Sequence, residues 1–527
     1  MTASRSGIPL KDFYAASAGV AARDEIPGAY PYTRGRHRPA QSGQGWIHRE
    51  LSGEGNARRS NEQIKYLIGI GQMGVDVIGD SPTQSMLDPD HPLVKNAVGT
   101  QGVSLCCRQD YLELYAGIPY DKVSISSSVP SVFSMTGLYI ALREHGFPHD
   151  RARGSVLQAP LYAEDCSYSA GMPYSLLSRL ALDGMSFAAK YMPRFHAYVE
   201  DTYFFSETGL TGIEEMALGF VEIRHLTRSL IARGVPVDSF APRIAILVNC
   251  SMDLFEEIAK IRATRRLFAR MMKEEFGAQD PRSLSVVISA HTSGLTLTAQ
   301  QPANNIVRGT VQGMALALAG VQAMEISAFD EGFRTPSAEA HMVGIRTQQI
   351  LELECGVARV EDPLGGSYYV EALTDEMEHA IWRMVGDLEA RGDPVALAEQ
   401  GYFRRLFEQA SERHYRSISS AKVKVVGVNC HKVADDEDKL LRDIAERKIA
   451  PDRQRIEEVK QFRAARSQAA VGRALRRLHD AVATDENLIP LVIEATDAGA
   501  TMGEMAGAMR LACGRTYDPH RQLQPDF

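Results

Sequence analysis

Hydrophobic and polar positions alternate in a regular way from about residue 61 onward. Short runs rich in β-branched and aliphatic residues are separated by amphipathic stretches with the period of an α-helix, most clearly at 252–276 and 302–318. Strands that alternate with helices predict a parallel sheet, and this many repeats favour a closed (β/α)8 barrel over an open sheet. The predicted strands are residues 74–78, 122–127, 243–249, 284–290 and 323–327.

The two ends of the chain break this rhythm. Residues 26–55 are rich in Gly, Pro, Arg and Gln and show little periodicity, so we predict an N-terminal arm or extended segment over 1–56. The barrel is expected over 57–397, and a mainly helical C-terminal region over 398–527. The elements predicted there are charged helices at 404–416 and 451–483 and a strand-like run at 423–428.

Serines occupy alternate positions of two predicted strands. Ser124, Ser126 and Ser128 share one face of the first strand, and Ser285 and Ser289 share one face of the other. Barrel interiors are normally filled by Val, Ile and Leu, so inward serines would leave a polar bore that admits a ligand. The alternative is that these hydroxyls face outward and contact helices.

Composition narrows the class of protein. The chain has 58 basic and 66 acidic side chains, a net charge of −8, which argues against a nucleic-acid binder. It has no apolar run long enough to span a membrane, and its first residues lack the apolar core of a signal peptide. Seven cysteines without CxxC spacing predict neither a disulfide framework nor a metal site, and we expect a cytoplasmic protein.

Candidate chemistry follows two predicted strands. His291 comes directly after strand 284–290, and Asp330 and Glu331 come after strand 323–327, at the end where barrels place their active sites. The alternatives are a hydrogen-bonded structural histidine and a cap for the next helix.

Other motifs indicate structure rather than chemistry. The Gly-rich run 362–367 precedes a strand-like run at 368–371, so we predict a tight turn there rather than a phosphate cradle.

Several runs of this sequence resemble the large, substrate-binding subunit of the coenzyme B12-dependent acyl-CoA mutases, the methylmalonyl-CoA mutase family. The resemblance covers about residues 26 to 510 in order. The matching runs are PGAYPYTRG at 27–35, DPDHP at 88–92, APR at 241–243, FEEIAKIRA at 255–263, HTSGLTLTAQ at 291–300, NNIVR at 304–308, DPLGGSYYVE at 362–371, VGVN at 426–429 and AGATMG at 498–503.

The resemblance implies a (β/α)8 barrel whose polar bore holds the pantetheine arm of CoA, with adenosylcobalamin above the carboxyl ends of the strands. Members of the family bind cobalamin on a flavodoxin-like module that carries Asp-x-His-x-x-Gly. The nearest string here, from Asp518 to His520, lacks the glycine. We therefore expect no B12-binding flavodoxin-like domain in this chain, a separate small cobalamin-binding subunit as partner, and a G-protein chaperone as a further partner.

The acyl side of the family's site is altered in this sequence. The stacking aromatic becomes Leu87, the arginine that binds the substrate carboxylate aligns with Ser167, and the histidine that binds the thioester aligns with Phe204, beside Tyr203. A charged carboxylate in a closed site needs a partner, so methylmalonyl-CoA is a poor candidate substrate.

The adenosyl side is better kept. The glutamate that contacts the adenosyl ribose is Glu331, although the asparagine four residues earlier is Ser327. We predict catalytic roles for Tyr203, His291 and Gln158; substrate contacts by Leu87, Leu157, Ser167, Phe204, Ser126, Ser289 and Arg262; and cofactor contacts by Glu331, Ser327 and Asp330.

These substitutions predict an isomerase that acts on a branched acyl-CoA whose acyl group is hydroxylated or otherwise uncharged, active only with its small subunit. Two alternatives stay open. One is a radical B12 enzyme, such as a lyase or eliminase, with a substrate that is not carried on CoA. The other is a catalytically silent binding or scaffold homologue.

Overall fold

Eight parallel strands close into a barrel in the computed structural model of the chain. The structure describes residues 3–15, 25–37, 45–166, 171–332, 334–434, 437–445 and 449–527. The strands neighbour one another in chain order, and the last pairs back onto the first. They are β1 (Ile47–Ser52), β2 (Gly74–Val77), β3 (Ser124–Ser127), β4 (Gly154–Gln158), β5 (Phe195–Asp201), β6 (Ile244–Cys250), β7 (Val287–Thr292) and β8 (Ala323–Glu325).

Helices lie between the strands and beyond the last of them. Those up to β8 are α1 (Ala57–Gly69), α2 (Ser81–Gln84), α3 (Arg108–Leu114), α4 (Ser131–Glu144), α5 (Ala163–Cys166), α6 (Tyr174–Tyr191), α7 (Thr202–Ser206), α8 (Gly212–Ala232), α9 (Val237–Phe240), α10 (Leu254–Arg270), α11 (Pro281–Leu284) and α12 (Asn304–Ala319). Those after β8 are α13 (Ala338–Gln349), α14 (Tyr368–Glu389), α15 (Pro394–Glu399), α16 (Tyr402–Ser419), α17 (Lys439–Ala445), α18 (Arg453–Ala465), α19 (Gln468–Ala481), α20 (Leu488–Asp497) and α21 (Met502–Ala512).

The predicted barrel is confirmed, and the five predicted strands correspond to β2, β3, β6, β7 and β8. Sequence patterning missed β1, β4 and β5. Polar residues interrupt each of these strands, as in the Ile-His-Arg-Glu-Leu-Ser sequence of β1, so no apolar run marks them. β1 lies within the aperiodic segment 26–55, so the barrel begins inside the predicted N-terminal arm.

Two strand-like runs are not strands, and both predictions were wrong. Residues 423–428 form turns with one isolated bridge between Val426 and Cys430. Tyr368–Glu371 is the first turn of α14, because the Ser367 side chain accepts a hydrogen bond from the backbone N–H of Val370 and caps a long amphipathic helix. The Gly-rich run 362–367 therefore leads into a helix.

The chain divides into two compact units. Unit 1 comprises Met1–Arg49 and Glu200–Arg447, and unit 2 comprises Glu50–Val199 and Lys448–Phe527. Among the described residues, no helix is both long and apolar enough to cross a bilayer.

In unit 2, apolar and polar strand residues separate onto opposite faces. Val75, Ile125 and Val156 pack with residues of the surrounding helices in one hydrophobic cluster. The alternating residues between them therefore face the bore, and there the Ser126 and Ser155 hydroxyls hydrogen-bond to each other. This supports an inward orientation for the serine face of β3.

Candidate active site

A row of polar residues crosses four strands near their carboxyl ends within unit 1. Asn249 of β6 is in register with His291 of β7, His291 is in register with Glu325 of β8, and Glu325 is in register with Arg49 of β1. All four residues are buried. Residues in register on neighbouring strands share a face, so this row forms one polar layer at the end of the barrel that carries active sites.

His291 is held by hydrogen bonds at both ring nitrogens. Its Nε2 lies 3.1 Å from Glu325 Oε1, and its Nδ1 lies 2.7 Å from the carbonyl oxygen of Thr292. Both neighbours are acceptors, so the ring serves as a double donor, which requires an imidazolium. Burial alone would lower the pKa of His291, but the Glu325 carboxylate outweighs burial and raises it to about 10.

Tyr203 lies against this imidazolium. Helix α7 starts where the Asp201 side chain accepts a hydrogen bond from the N–H of Phe204, and it brings the Tyr203 ring to 4.3 Å from the His291 ring, centroid to centroid. Among the described residues Tyr203 is half-buried and its hydroxyl makes no hydrogen bond. Burial, then the neighbouring carboxylates, raises its pKa well above the ordinary value, so Tyr203 is a phenol donor at any physiological pH.

Glu207 ties α7 to the loop that follows β7. Its Oε1 accepts hydrogen bonds from Asn249 Nδ2 (2.8 Å) and Ser293 Oγ (2.7 Å), and its Oε2 accepts one from the Leu295 N–H (2.9 Å). The loop approaches so closely at Gly294 that a Cβ there would lie 2.8 Å from Glu207 Oε2 and 3.6 Å from the Tyr203 hydroxyl. Glycine at this position keeps the space beside Tyr203 open.

A buried network of charged side chains holds the backbone of Asn249. Lys260 Nζ lies 2.8 Å from Glu215 Oε2, 2.6 Å from Glu257 Oε2 and 2.6 Å from the carbonyl oxygen of Asn249. Glu215 Oε1 in turn accepts the N–H of Asn249. Both hydrogen-bonding groups of the Asn249 backbone are therefore fixed by side chains of α8 and α10.

Two acids follow β8. Glu331 accepts the N–H of Ala328 at 3.1 Å, and burial raises its pKa to about 7 despite the attraction of His291. Asp330 Oδ2 accepts the N–H of Ser337, whereas its Oδ1 is buried without a hydrogen-bond partner among the described residues. Ser327 donates to the carbonyl oxygen of Thr292 at 2.9 Å and so joins the ends of β7 and β8.

The electrostatic character of this site is acidic. Burial raises the pKa of Asp201 to about 7 and also raises the pKa of Glu207, and His291 is the cation that opposes both shifts. Asp201, Glu207, Glu325 and Glu331 therefore surround one imidazolium that Glu325 already holds. This site can donate hydrogen bonds from Tyr203 and accept them at several carboxyl oxygens. Neither cation of the polar layer is unengaged, because Glu325 holds His291 and the buried Arg49 has a partner as well.

Several residues predicted from the sequence are brought together here. Tyr203, His291, Ser327 and Glu331 all lie around the polar layer, and Phe204 lies half-buried beside Tyr203 on α7.

Other predicted residues lie apart from this cluster. Ser289 is two residues before His291 on the same face of β7, where its hydroxyl approaches the Ile246 carbonyl at 3.5 Å. Arg262 is fully buried on α10, where it pairs with Asp362 and with Glu371 (2.6 Å).

The remaining predicted residues belong to unit 2 or lie outside the described residues. Leu157 is half-buried on the bore side of β4. Gln158 alternates to the opposite face, where it accepts a hydrogen bond from Ser131 Oγ at 3.0 Å and donates to a backbone carbonyl. Leu87 packs with Val94 and Val98, and Ser167 lies outside the described residues.

Sequence reasoning missed four of the acids and amides that build the site. Glu325 and Asn249 lie on strands that had been predicted, and register across the barrel places both beside His291. Glu325 could have been found from the sequence, because it lies two residues before the candidate Ser327 and alternate residues of a strand face the same side. Asp201 and Glu207 gave no such signal, because neither β5 nor α7 had been predicted.

A basic cluster lies at the opposite, amino-terminal ends of β6 and β7. Arg36 Nε donates to the carbonyl oxygen of Ser285, just before β7, and Arg243 immediately precedes β6. Burial and then the neighbouring Arg243 lower the pKa of Arg36, and burial followed by Arg36 and Arg265 lowers that of His37. Positive groups this close together favour a bound anion.

The family model for methylmalonyl-CoA mutase matches residues 3–515. The chain belongs to the methylmalonyl-CoA mutase family. It is 36% identical to the 2-hydroxyisobutanoyl-CoA mutase large subunit of Aquincola tertiaricarbonis, over 92% of this chain and 86% of that protein. It is 32% identical to the methylmalonyl-CoA mutase of Rhizobium meliloti, over 96% of this chain and 72% of that protein.

Membership of the methylmalonyl-CoA mutase family gives the class of enzyme and the cofactor. The protein is an isomerase of the acyl-CoA mutase type, and the cofactor of the family is adenosylcobalamin. In this member the carboxyl end of the barrel carries the acidic cluster around His291, on the side where the family's cofactor is expected.

Proposed function

We propose that this chain is the large subunit of an adenosylcobalamin-dependent mutase that isomerises a branched acyl-CoA thioester whose acyl group carries no carboxylate. The observation that carries the proposal is the acidic site. A methylmalonyl carboxylate would face four acids, namely Asp201, Glu207, Glu325 and Glu331. The two cations of the polar layer are already engaged, since His291 is paired with Glu325 and the buried Arg49 also has a partner. Burying the substrate carboxylate among these acids without a cation partner costs several kcal/mol.

The same site suits an uncharged or hydroxylated acyl group. The Tyr203 hydroxyl is available as a donor, and the carboxyl oxygens of the cluster accept hydrogen bonds from a hydroxyl group. We place Tyr203 and His291 at the reacting end, with Phe204 as an apolar wall. The relative from Aquincola tertiaricarbonis is named for a hydroxylated substrate, which supports this choice.

The basic cluster at the amino-terminal end of the strands supports CoA as the carrier of the acyl group. The two guanidinium groups of Arg36 and Arg243 match the phosphates of a CoA nucleotide, and guanidinium binds phosphate well. The reacting end and the phosphate-binding end then lie at opposite ends of β6 and β7.

Residues after β8 fit the adenosyl group of the cofactor. Asp330 Oδ1 is a buried acceptor without a partner among the described residues, and the Glu331 carboxyl lies half-buried beside it, so both suit the hydroxyls of a ribose. The cofactor supplies the radical that abstracts a hydrogen atom from the substrate. The chain's own residues bind and orient the thioester and exclude water.

We further propose a small cobalamin-binding subunit as partner, since the relative from Aquincola tertiaricarbonis is named as a large subunit. A cytoplasmic location and a G-protein chaperone stay predictions.

An anaerobic assay tests the proposal. The chain is mixed with a cobalamin-binding small subunit and adenosylcobalamin and given methylmalonyl-CoA, 2-hydroxyisobutanoyl-CoA, isobutyryl-CoA or pivaloyl-CoA, and products are separated by chromatography and mass. We expect isomerised product from at least one uncharged thioester and none from methylmalonyl-CoA. Turnover of methylmalonyl-CoA alone would overturn the proposal, and cobalamin uptake with no thioester turned over would favour a substrate not carried on CoA.

A further inference from the structure

Glu325 pairs with His291, and the ring of Tyr203 packs against the same imidazole. Glu325 is 3% exposed and His291 is 4% exposed, so the charge pair is shielded from solvent. The face of an aromatic ring attracts a cation, and the Tyr203 ring lies 4.3 Å from the His291 ring. Glu325 touches His291 and has no ring or hydrogen-bond contact with Tyr203.

We infer that Glu325 is a positioning residue of the mutase: it keeps a positive charge on His291, and the charged ring fixes Tyr203 with its hydroxyl toward the acyl group. The inference rests on the proposed function for the role of Tyr203. The charge on His291 is a property of the chain alone.

Other groups around His291 do not supply the same control. Glu331 also favours the charged ring, but Glu325 is the carboxylate that hydrogen-bonds to it. The groups that face His291 and Glu325 from the packed elements are Asp201, Tyr203 and Glu207 from β5 and α7, Asn249 from β6, Ser327 and Glu331 from β8 and the loop after it, and Arg49 from β1.

Replacing Glu325 by glutamine keeps the shape of the side chain and removes its charge. Burial then dominates at His291, so its pKa falls and the ring is neutral at pH 8. We expect Glu325→Gln to lower kcat about tenfold at pH 8, because the loss of a buried cation–π contact corresponds to roughly 1–2 kcal/mol. The loss should shrink toward pH 6, whereas wild-type kcat should show no titration of this group between those values.

A second histidine–glutamate pair in unit 1 provides the matched control. His48 Nε2 lies 2.8 Å from Glu352 Oε2, away from the polar layer on the neighbouring position of β1. Glu352→Gln makes the same chemical change and should leave the pH profile of kcat unaltered.

The ionisation of His291 is measured directly and without turnover. In the isolated chain labelled with 13C on histidine rings, the signal that disappears in His291→Asn should stay in the imidazolium form from pH 6 to 8.5 and become neutral in Glu325→Gln. A wild-type His291 that titrates near its ordinary value of 6.5 would overturn the inference, even if Glu325→Gln does not fold and whatever the mutase assay shows. An unchanged His291 signal and pH profile in Glu325→Gln would overturn it as well.

Discussion

Glu331 shows what a functional site demands of a single residue. A carboxyl group in its position is costly to ionise, because burial raises its pKa from 4.5 to about 7. The folded protein therefore binds a proton at Glu331 more tightly than the unfolded chain does. The contribution of Glu331 to the free energy of unfolding therefore falls as pH rises from about 4.5 through 7. Above that range the protein bears the full free-energy cost of ionising this buried carboxyl group.

The variant Glu331→Gln removes this penalty. We expect it to be more stable than the wild type at pH 8, by roughly 1–3 kcal/mol, and close to the wild type at pH 4.5. Calorimetry at the two pH values checks this, with Glu457→Gln, an exposed glutamate, as a control that shifts stability little. A Glu331→Gln variant that is less stable than wild type at pH 8 would contradict the electrostatics. Turnover in the mutase assay should fall, because the amide replaces one of the two carboxyl oxygens that suit the ribose hydroxyls with an NH2 donor.

Gly294 affects activity through space rather than charge. A Cβ at this position would lie 2.8 Å from Glu207 Oε2 and would push the carboxylate from its hydrogen bonds to Ser293 and Leu295. Gly294→Ala should therefore lower kcat/KM by at least about tenfold, a loss of roughly 1.4 kcal/mol.

Gly386, in α14, has nothing within 4 Å of an added Cβ and is the control for this substitution. Gly386→Ala should keep full activity and raise stability slightly, because alanine is the better helix former. Equal activity in the two variants would remove Gly294 from the site.

At the scale of residues, sequence alone located His291, near the carboxyl end of β7, and Glu331, in the loop after β8. It did so because the apolar patterns of these two strands show where their carboxyl ends lie. It could not find Glu207, whose importance comes from contacts with Asn249, Ser293 and Leu295, each far from it along the chain. Nor could it show that Gln158 faces away from Leu157, because β4 had not been recognised.

Among the elements, α10 carries an unusual load of buried charge. Lys260 is 1% exposed and is neutralised by Glu215 and Glu257, whose attraction raises its pKa beyond the ordinary range despite burial. The network holds the end of β6 in place through the Asn249 carbonyl. Helix α10 therefore fixes the polar layer and also packs against α14.

Lys260→Met should destabilise the protein by about 3–5 kcal/mol, because it leaves two buried carboxylates without their cation. Thermal unfolding of the purified chain measures the loss. Lys460, on the exposed face of α18, is the matched control, and Lys460→Met should change stability by less than about 0.5 kcal/mol. A Lys260→Met variant that unfolds like the wild type would show that the network does not support β6.

Element prediction worked where apolar residues form unbroken runs, as in the fully buried Ile-Ala-Ile-Leu-Val of β6. It failed where a strand lines a polar bore, as in β5 with His196 and Glu200. It also failed at Tyr368 and Tyr369, whose aromatic side chains suggest a strand although the Ser367 cap starts a helix there. Polar residues that face the bore interrupt the apolar runs by which strands are recognised, so some strands of the barrel cannot be predicted from the hydrophobic pattern.

On the scale of the molecule, the two ends of β6 and β7 differ in charge. The carboxyl ends meet the acidic cluster, and the amino ends meet Arg36 and Arg243. An acyl-CoA complements this arrangement. Its polyanionic nucleotide suits the basic end, and its uncharged acyl group suits the acidic end.

Arg36→Met should therefore raise KM for a CoA thioester about tenfold and leave KM for the matching pantetheine thioester unchanged, because pantetheine lacks the phosphates. Steady-state kinetics with both thioesters provides the test. An equal rise in KM for both would show that Arg36 does not bind the nucleotide.

In the proposed function, the acidic site rejects a carboxylate on the acyl group. The most direct test compares kcat/KM for isobutyryl-CoA and methylmalonyl-CoA, which differ by a carboxylate in place of one methyl group. The proposed function predicts a preference of at least about 100-fold for isobutyryl-CoA, because a buried carboxylate without a cation partner costs about 3 kcal/mol or more. Equal values, or a preference for methylmalonyl-CoA, would contradict it.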